Sequence, residues 1–193
     1  LNLIHYGISN DSERIVYASS MSVYGSVPDI PVPETHPCTP LSCYGVGKLA
    51  SENYLRLYSE QLSYVTLRMF NVYGPGQDLN NLHQGMVSIY LAQALTRRNI
   101  EIKGNLERFR DFIYIEDVSE AWFLAAFSTE VLNRELNVGT GIRTTVGTLI
   151  KHIEVAIPGT THYTSDPTPG DQIGIYADSR LLKSILPIKE FVL

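Results

Sequence analysis

Short apolar runs rich in β-branched and aromatic residues recur along this chain with helical stretches between them, and that alternation limits the folds open to it. RIVYAS at 14–19 and YVTLRMF at 64–70 read as buried strands. Between them, from Cys43 to about Leu62, the residues Leu49, Tyr54, Leu55 and Tyr58 recur on one side of a helix. A helix at about 85–97 precedes the strand IEI at 100–102, and DFIYI at 111–115 is a further extended segment. Asp117 stands where it would cap the helix running through Trp122 and Phe127. ELNVG at 135–139 is a strand ending in glycine, and Thr145 is placed to cap a helix over 146–156. THYT at 161–164 and a helix over 178–186, with Asp178 as its cap, close the series. At the other end LNLIHYGI has Leu3, Ile4 and Ile8 at helical spacing with no cap before it, and reads as the tail of a longer helix.

Strands alternating with helices predict an α/β fold, a parallel sheet with helices on its faces. Ligands in such folds bind beyond the carboxyl ends of the strands. ASSMSVYG after the first strand, NVYGPG after the second and NVGTG after EL fall where that geometry puts a site.

The 193 residues, 44% hydrophobic and 18% charged, suffice to bury a core. A net charge of −5 argues against nucleic acid as partner, because phosphate backbones are held by Lys and Arg. No run approaches the ~18 apolar residues of a membrane span, and no signal peptide is evident. The expectation is therefore no membrane and a cytoplasmic protein. Cys38 and Cys43 are two ordinary thiols, and with His36 they match no zinc spacing, so no metal is expected. Prolines 28, 31, 33, 37 and 40 mark irregular surface chain.

After that break, LSCYGVGKLASENY places Tyr44 and Lys48 at i and i+4 on one helix face. A phenol with an ordinary pKa of about 10 is a poor base at neutral pH, and a nearby ammonium favours the phenolate. The same spacing is also met in a core tyrosine beside a surface lysine. Ser19, Ser20 and Ser22 follow a buried strand directly, where a hydroxyl could bond a substrate oxygen. They could equally satisfy turn hydrogen bonds.

VYASSMSVYG, YGVGK, LRMFNVYGPGQ, RDFIYIEDV and LNVGTG occur in that order. Together they resemble the extended short-chain dehydrogenase/reductase family, in its nucleotide-sugar epimerase/dehydratase branch. The resemblance implies a Rossmann-type parallel sheet holding NAD and a smaller α/β substrate-binding domain holding a nucleoside-diphosphate sugar. Residues 1–73, with 111–138 returning, would be the second half of the NAD-binding domain; 74–110 and 139–193 would bind substrate. It assigns Ser20, Tyr44 and Lys48 as catalytic and cofactor-binding, and Phe70 as lining the nicotinamide. Ser22, Asn71, Gln84, Arg110 and Asp171 would contact substrate, and backbone at 101–103 would bracket the base. A homodimer formed through the helix carrying Tyr44 and the one before it is also implied.

The expected activity is 4-epimerisation of a UDP-sugar, in which Tyr44 takes the C4 hydroxyl proton while hydride leaves C4 for NAD. Dehydratases of the family carry an Asp-Glu pair just before VYG; here Met21 and Ser22 stand there, which disfavours dehydration. Another sugar-nucleotide reaction (dehydratase, decarboxylase or reductase) and a non-catalytic nucleotide-binding member are the alternatives. Two departures accompany the resemblance. The glycine-rich phosphate turn is not present, so the chain is expected to start inside the NAD domain and to be inactive by itself. Thr168 stands where the family has a diphosphate-gripping arginine, with Arg143 or Lys103 as replacements, and Arg68 is expected to be structural.

Overall fold

A computed structural model describes residues 1–81, 85–167, 173–189 and 191. In chain order these form α1 (Asn2–Ser9), β1 (Arg14–Ser20), a 3-10 turn at Met21–Val23, α2 (Cys43–Leu57), β2 (Ser63–Met69), β3 (Asn71–Tyr73) and α3 (Met86–Arg97). There follow β4 (Asn99–Lys103), β5 (Phe109–Arg110), β6 (Phe112–Tyr114), α4 (Ile115–Phe127) and β7 (Arg134–Val138). The last elements are β8 (Thr144–Thr145), α5 (Val146–Ala156), β9 (Thr161–Ser165), β10 (Gly174–Ile175) and α6 (Arg180–Ile185).

The expected parallel sheet is there, with strand order β1-β2-β7. Its register runs Ser19↔Arg68 between the first two strands and Arg68↔Asn137 between the last two. Val65, Leu67, Leu136 and Val138 are fully buried in it and pack against Val118, Ala121 and Ala125 of α4 and Leu182 of α6. At ~25 cal/mol per Å2 such burial is the main force holding helix to sheet. A separate core, built from Tyr90 and Ala94 of α3, Ile100 and Ile102 of β4, and Ile150 and Ile153 of α5, supports a second parallel pair, β4 with β9.

Several elements depart from the sequence reading. DFIYI is not one strand. Asp111 interrupts it, because its carboxylate turns inward to accept bonds from Thr140 and Gly141 and from the backbone N–H of Ala177. Ile115 already belongs to α4, so Asp117 lies inside that helix's first turn and Tyr114 occupies the cap position. An acidic residue there still suits the positive end of the helix dipole. α6 starts at Arg180 with Ser179 in the cap position, and Asp178 accepts from the Arg180 N–H instead. α2 stops at Leu57, five residues early, where Tyr58 takes a non-helical conformation. Thr145 does cap α5, its hydroxyl accepting from the Thr148 N–H at 3.0 Å. The proline-rich segment is anchored in part: Val32 is buried and exchanges backbone bonds with Tyr176 and Asp178.

Candidate active site at the carboxyl end of β1

β1 ends at Ser20, whose hydroxyl lies 3.0 Å from that of Ser22 and also accepts the Ser22 N–H. The serine therefore closes the 3-10 turn as its cap, and the hydroxyl remains only partly buried. α2 begins against this turn. Ser42 caps it by accepting the Gly45 N–H at 3.0 Å, which fixes the helix start directly before Tyr44. Gly45 is pressed on the turn: a Cβ built there would meet the Ser22 carbonyl oxygen at 2.4 Å and Pro40 at 2.9 Å.

Lys48, one helical turn on, holds its Nζ 5.3 Å from the centroid of the Tyr44 ring. The same Nζ donates to the Ala18 carbonyl at 2.7 Å, tying the helix to β1 two residues before Ser20. An ammonium has three N–H donors, so this bond leaves donors for a ligand. Tyr44 is exposed. Serine turn, phenol and amine thus share the carboxyl edge of the parallel sheet.

Behind them lies a buried polar network. Glu52, fully buried, accepts from Ser19 Oγ at 2.5 Å and takes Arg68 by both oxygens, Nε to Oε1 at 3.1 Å and Nη2 to Oε2 at 2.7 Å. Arg68 continues to the Tyr24 hydroxyl at 3.0 Å and the Glu34 carbonyl at 3.1 Å. Tyr24 donates to Asn137 Oδ1 at 2.6 Å. Burial alone would lower the Arg68 pKa, but the Glu52 bonds and Tyr24 hold it above its ordinary value. Burial pushes the Tyr24 phenol well up, against the pull of Arg68. Arg68 is structural, as its sequence context suggests.

The other expected contacts are more embedded. Phe70 is buried with Val23, Tyr24, Val32 and Ile175. Asn71 donates through Nδ2 to the Asp111 carbonyl at 3.3 Å and to Met21 Sδ at 3.6 Å, and is only partly buried. Arg110 and Asp111 are 8% and 0% exposed, so they are no surface ion pair. Arg110 Nη1 donates to the Phe109 carbonyl at 2.7 Å and faces that of Ile173 at 3.4 Å. Burial pushes the Asp111 carboxyl up, opposed by its bonds from residues 140, 141 and 177. Arg143 pairs with Asp29 at 3.1 Å and stacks on Phe109. Gln84, Asp171 and Thr168 lie outside the described residues.

A cavity of about 690 Å3 opens beyond the carboxyl ends of β4 and β9, lined by Gly104, Asn105, Arg108, Thr164, Ser165 and Asp166 among others. A second, of about 550 Å3 and more apolar, has Tyr73, Phe112, Ile142, Leu149 and His152 in its wall.

Glu52, Tyr24 and Asn137 were not singled out from the sequence. For Glu52 there was a signal: Tyr44, Lys48 and Glu52 repeat at intervals of four, which puts an acid in line with the pair on one helix face. Nothing local marks Tyr24 or Asn137, which meet across 113 residues of chain.

Residues 1–139 match the NAD dependent epimerase/dehydratase family. A putative UDP-glucose 4-epimerase from Methanocaldococcus jannaschii is 36% identical over 191 residues, 96% of this chain and 61% of that protein. Among solved structures, the UDP-glucose 4-epimerase of Thermotoga maritima with UDP-glucose superposes with a TM-score of 0.90 at 31% identity, covering 97% of this chain and 62% of that one. The Thermus thermophilus UDP-glucose 4-epimerase complex with NAD gives 0.87 at 32% identity, covering 98% and 62%. The chain thus spans about three-fifths of the length of these relatives. With the family match across most of its length and a Rossmann-type α/β fold in common with these structures, the chain belongs to the NAD dependent epimerase/dehydratase family.

Proposed function

We propose that the protein is an NAD-dependent nucleotide-sugar epimerase that inverts C4 of a UDP-sugar, and that this chain supplies its acid–base centre and much of its substrate cleft. The observation that carries the reading is the Lys48 ammonium held 5.3 Å from the Tyr44 ring and anchored on Ala18 O, at the strand end that bears Ser20. The relatives named UDP-glucose 4-epimerase, with UDP-glucose or NAD in their structures, support the substrate and cofactor class.

The residues present fit NAD: Lys48 retains N–H donors for ribose hydroxyls, and Tyr44 is exposed beside it. NAD, when bound, supplies the hydride acceptor and the returning hydride. Tyr44 takes the proton of the C4 hydroxyl, while Ser20 steadies that oxygen through its hydroxyl. Before that transfer Tyr44 is the phenolate, its charge offset by the Lys48 ammonium; taking the proton leaves it a neutral phenol. When the 4-keto sugar has turned over, Tyr44 returns the proton to the opposite face's alkoxide. Met21 and Ser22 provide neither acid nor base for removing water, and Met21 Sδ already receives Asn71. Epimerisation is therefore favoured over dehydration.

Phe70 is assigned to the nicotinamide side, and Ser22, Asn71, Arg110, Gln84 and Asp171 to the sugar diphosphate. The cavity beyond β4 and β9 suits the base, next to backbone 101–103. Residues 1–73 and 111–138 form the cofactor side; 74–110 and 139–193 form the substrate side, with α6 packing back onto the first sheet. Exposed Leu3 and Tyr6 on α1 and exposed Val46 and Leu57 on α2 supply an apolar face for a homodimer. Among the described residues no helix is long and apolar enough to cross a membrane, and the cytoplasm is the proposed compartment.

The test is incubation of the full-length protein with NAD and either UDP-glucose or UDP-N-acetylglucosamine, followed by NMR of the sugar. Appearance of the C4 epimer is expected. Unchanged sugar in both, or a 4-keto-6-deoxy product, would overturn the reading.

A further inference from the structure

We infer that Glu52 is a positioning residue for the Tyr44–Lys48 pair, setting where α2 sits along β1. The inference rests on the proposed acid–base role of that pair. Tyr44, Lys48 and Glu52 occupy successive turns of one helix face, ~6 Å apart along the axis. Lys48 bonds the carbonyl of Ala18, and Glu52 accepts from the side chain of the next strand residue, Ser19. Ser20 follows immediately. Two consecutive strand residues thus grip two successive helix turns; the hydroxyl and the phenol flank this grip, Ser20 one residue on in the strand and Tyr44 one turn back in the helix.

The grip is itself braced across the sheet. Ser19, Arg68 and Asn137 are lateral neighbours in β1, β2 and β7. Glu52 spans the first two of them, with three directional bonds on its carboxylate. Arg68 then reaches Tyr24, which holds Asn137. A buried ion pair is weak evidence of a stability role, since apolar residues of like volume often hold such an interface as well. An apolar contact fixes neither the roll of the helix nor its axial position, whereas a carboxylate with three fixed donors fixes both. Acid–base transfer is sensitive to that position, because displacement by ~1 Å can cost on the order of a hundredfold in rate.

Three variants of the full-length protein test this: Ser19→Ala, the charge-free pair Glu52→Met/Arg68→Met, and Glu52→Gln/Arg68→Met. Hydrogen exchange over residues 43–49 is read in the absence of ligand, with the thermal midpoint alongside, and kcat and KM are read with NAD and UDP-glucose. Ser19→Ala and the Met/Met pair are expected to raise exchange over 43–49 at least threefold. They should lower kcat by roughly ten- to a hundredfold, with KM changing much less. The Gln/Met pair, whose amide carbonyl can again accept from Ser19, is expected to recover part of both. Wild-type exchange and kcat in Ser19→Ala and in a folded Met/Met pair would overturn the inference, as would identical behaviour of the Gln and Met pairs. Exchange decides the matter even if the wild-type protein turns over no UDP-sugar, an outcome that would sink the proposed function alone. If the Met/Met pair does not fold, Ser19→Ala, which disturbs no charge, decides by itself.

Discussion

Gly45 sits so close to Ser22 that a Cβ on it would fall 2.4 Å from the Ser22 carbonyl oxygen. The start of α2 and the serine turn therefore touch backbone to backbone, directly beside Tyr44. Gly45→Ala is expected to push the helix off the turn, at a cost of about 1–3 kcal/mol in stability from overpacking. The rate should fall with it by roughly a hundredfold. Gly47, two residues on, has nothing within 4 Å of such a Cβ. Gly47→Ala should instead raise stability by about 0.5–1 kcal/mol, as an alanine does in a helix interior. Paired denaturant melts check both, and equal effects at the two glycines would contradict the contact.

Tyr44→Phe removes one oxygen from an exposed ring. Stability should barely change, while the epimerisation rate drops by roughly a hundred- to ten-thousandfold, the range for an acid–base group. A rate within a factor of three of wild type would take Tyr44 out of the mechanism.

Lys48→Met keeps the aliphatic stem but loses the bond to Ala18 O and the charge beside Tyr44. Both NAD affinity and rate are expected to fall. Calorimetric titration with NAD separates the two effects, and an unaltered dissociation constant would contradict a role at the cofactor ribose.

Stability should carry an alkaline limit from Tyr64. Its phenol is pushed from 10.0 up to about 12 by burial and by the Glu135 carboxylate that accepts its proton at 2.9 Å, against the opposing pull of Arg56. The folded state thus holds this proton more tightly than the unfolded chain does. Its contribution is complete below pH 10 and is lost as the pH rises through about 12. Unfolding free energies from pH 9 to 12 should fall more steeply for wild type than for Tyr64→Phe; parallel curves would count against the assignment.

The strand–helix order, the parallel sheet and the i, i+4 pair were legible because each is written in local spacing. RIVYAS and YVTLRMF became β1 and β2 almost to the residue. What escaped depends on distant partners. Asp111 breaks its strand because Thr140, Gly141 and Ala177 wait for its carboxylate. The two-residue strands β5, β8 and β10 exist only because they lie beside one another, and no periodicity announces them. Glu52 looked like an ordinary helical glutamate until Arg68 and Ser19 closed on it. Its interval of four from Lys48 was visible, but burial of an acid is a tertiary fact.

The regular interval from Tyr44 through Lys48 to Glu52 makes this stretch of helix behave as a ruler. Each residue advances the helix by about 100° of rotation. Inserting or deleting one residue between 44 and 52 would swing either the phenol or the carboxylate a quarter-turn away from β1. The spacing does not depend on which side chains cover the outer face of this segment, but it does depend on the segment's length.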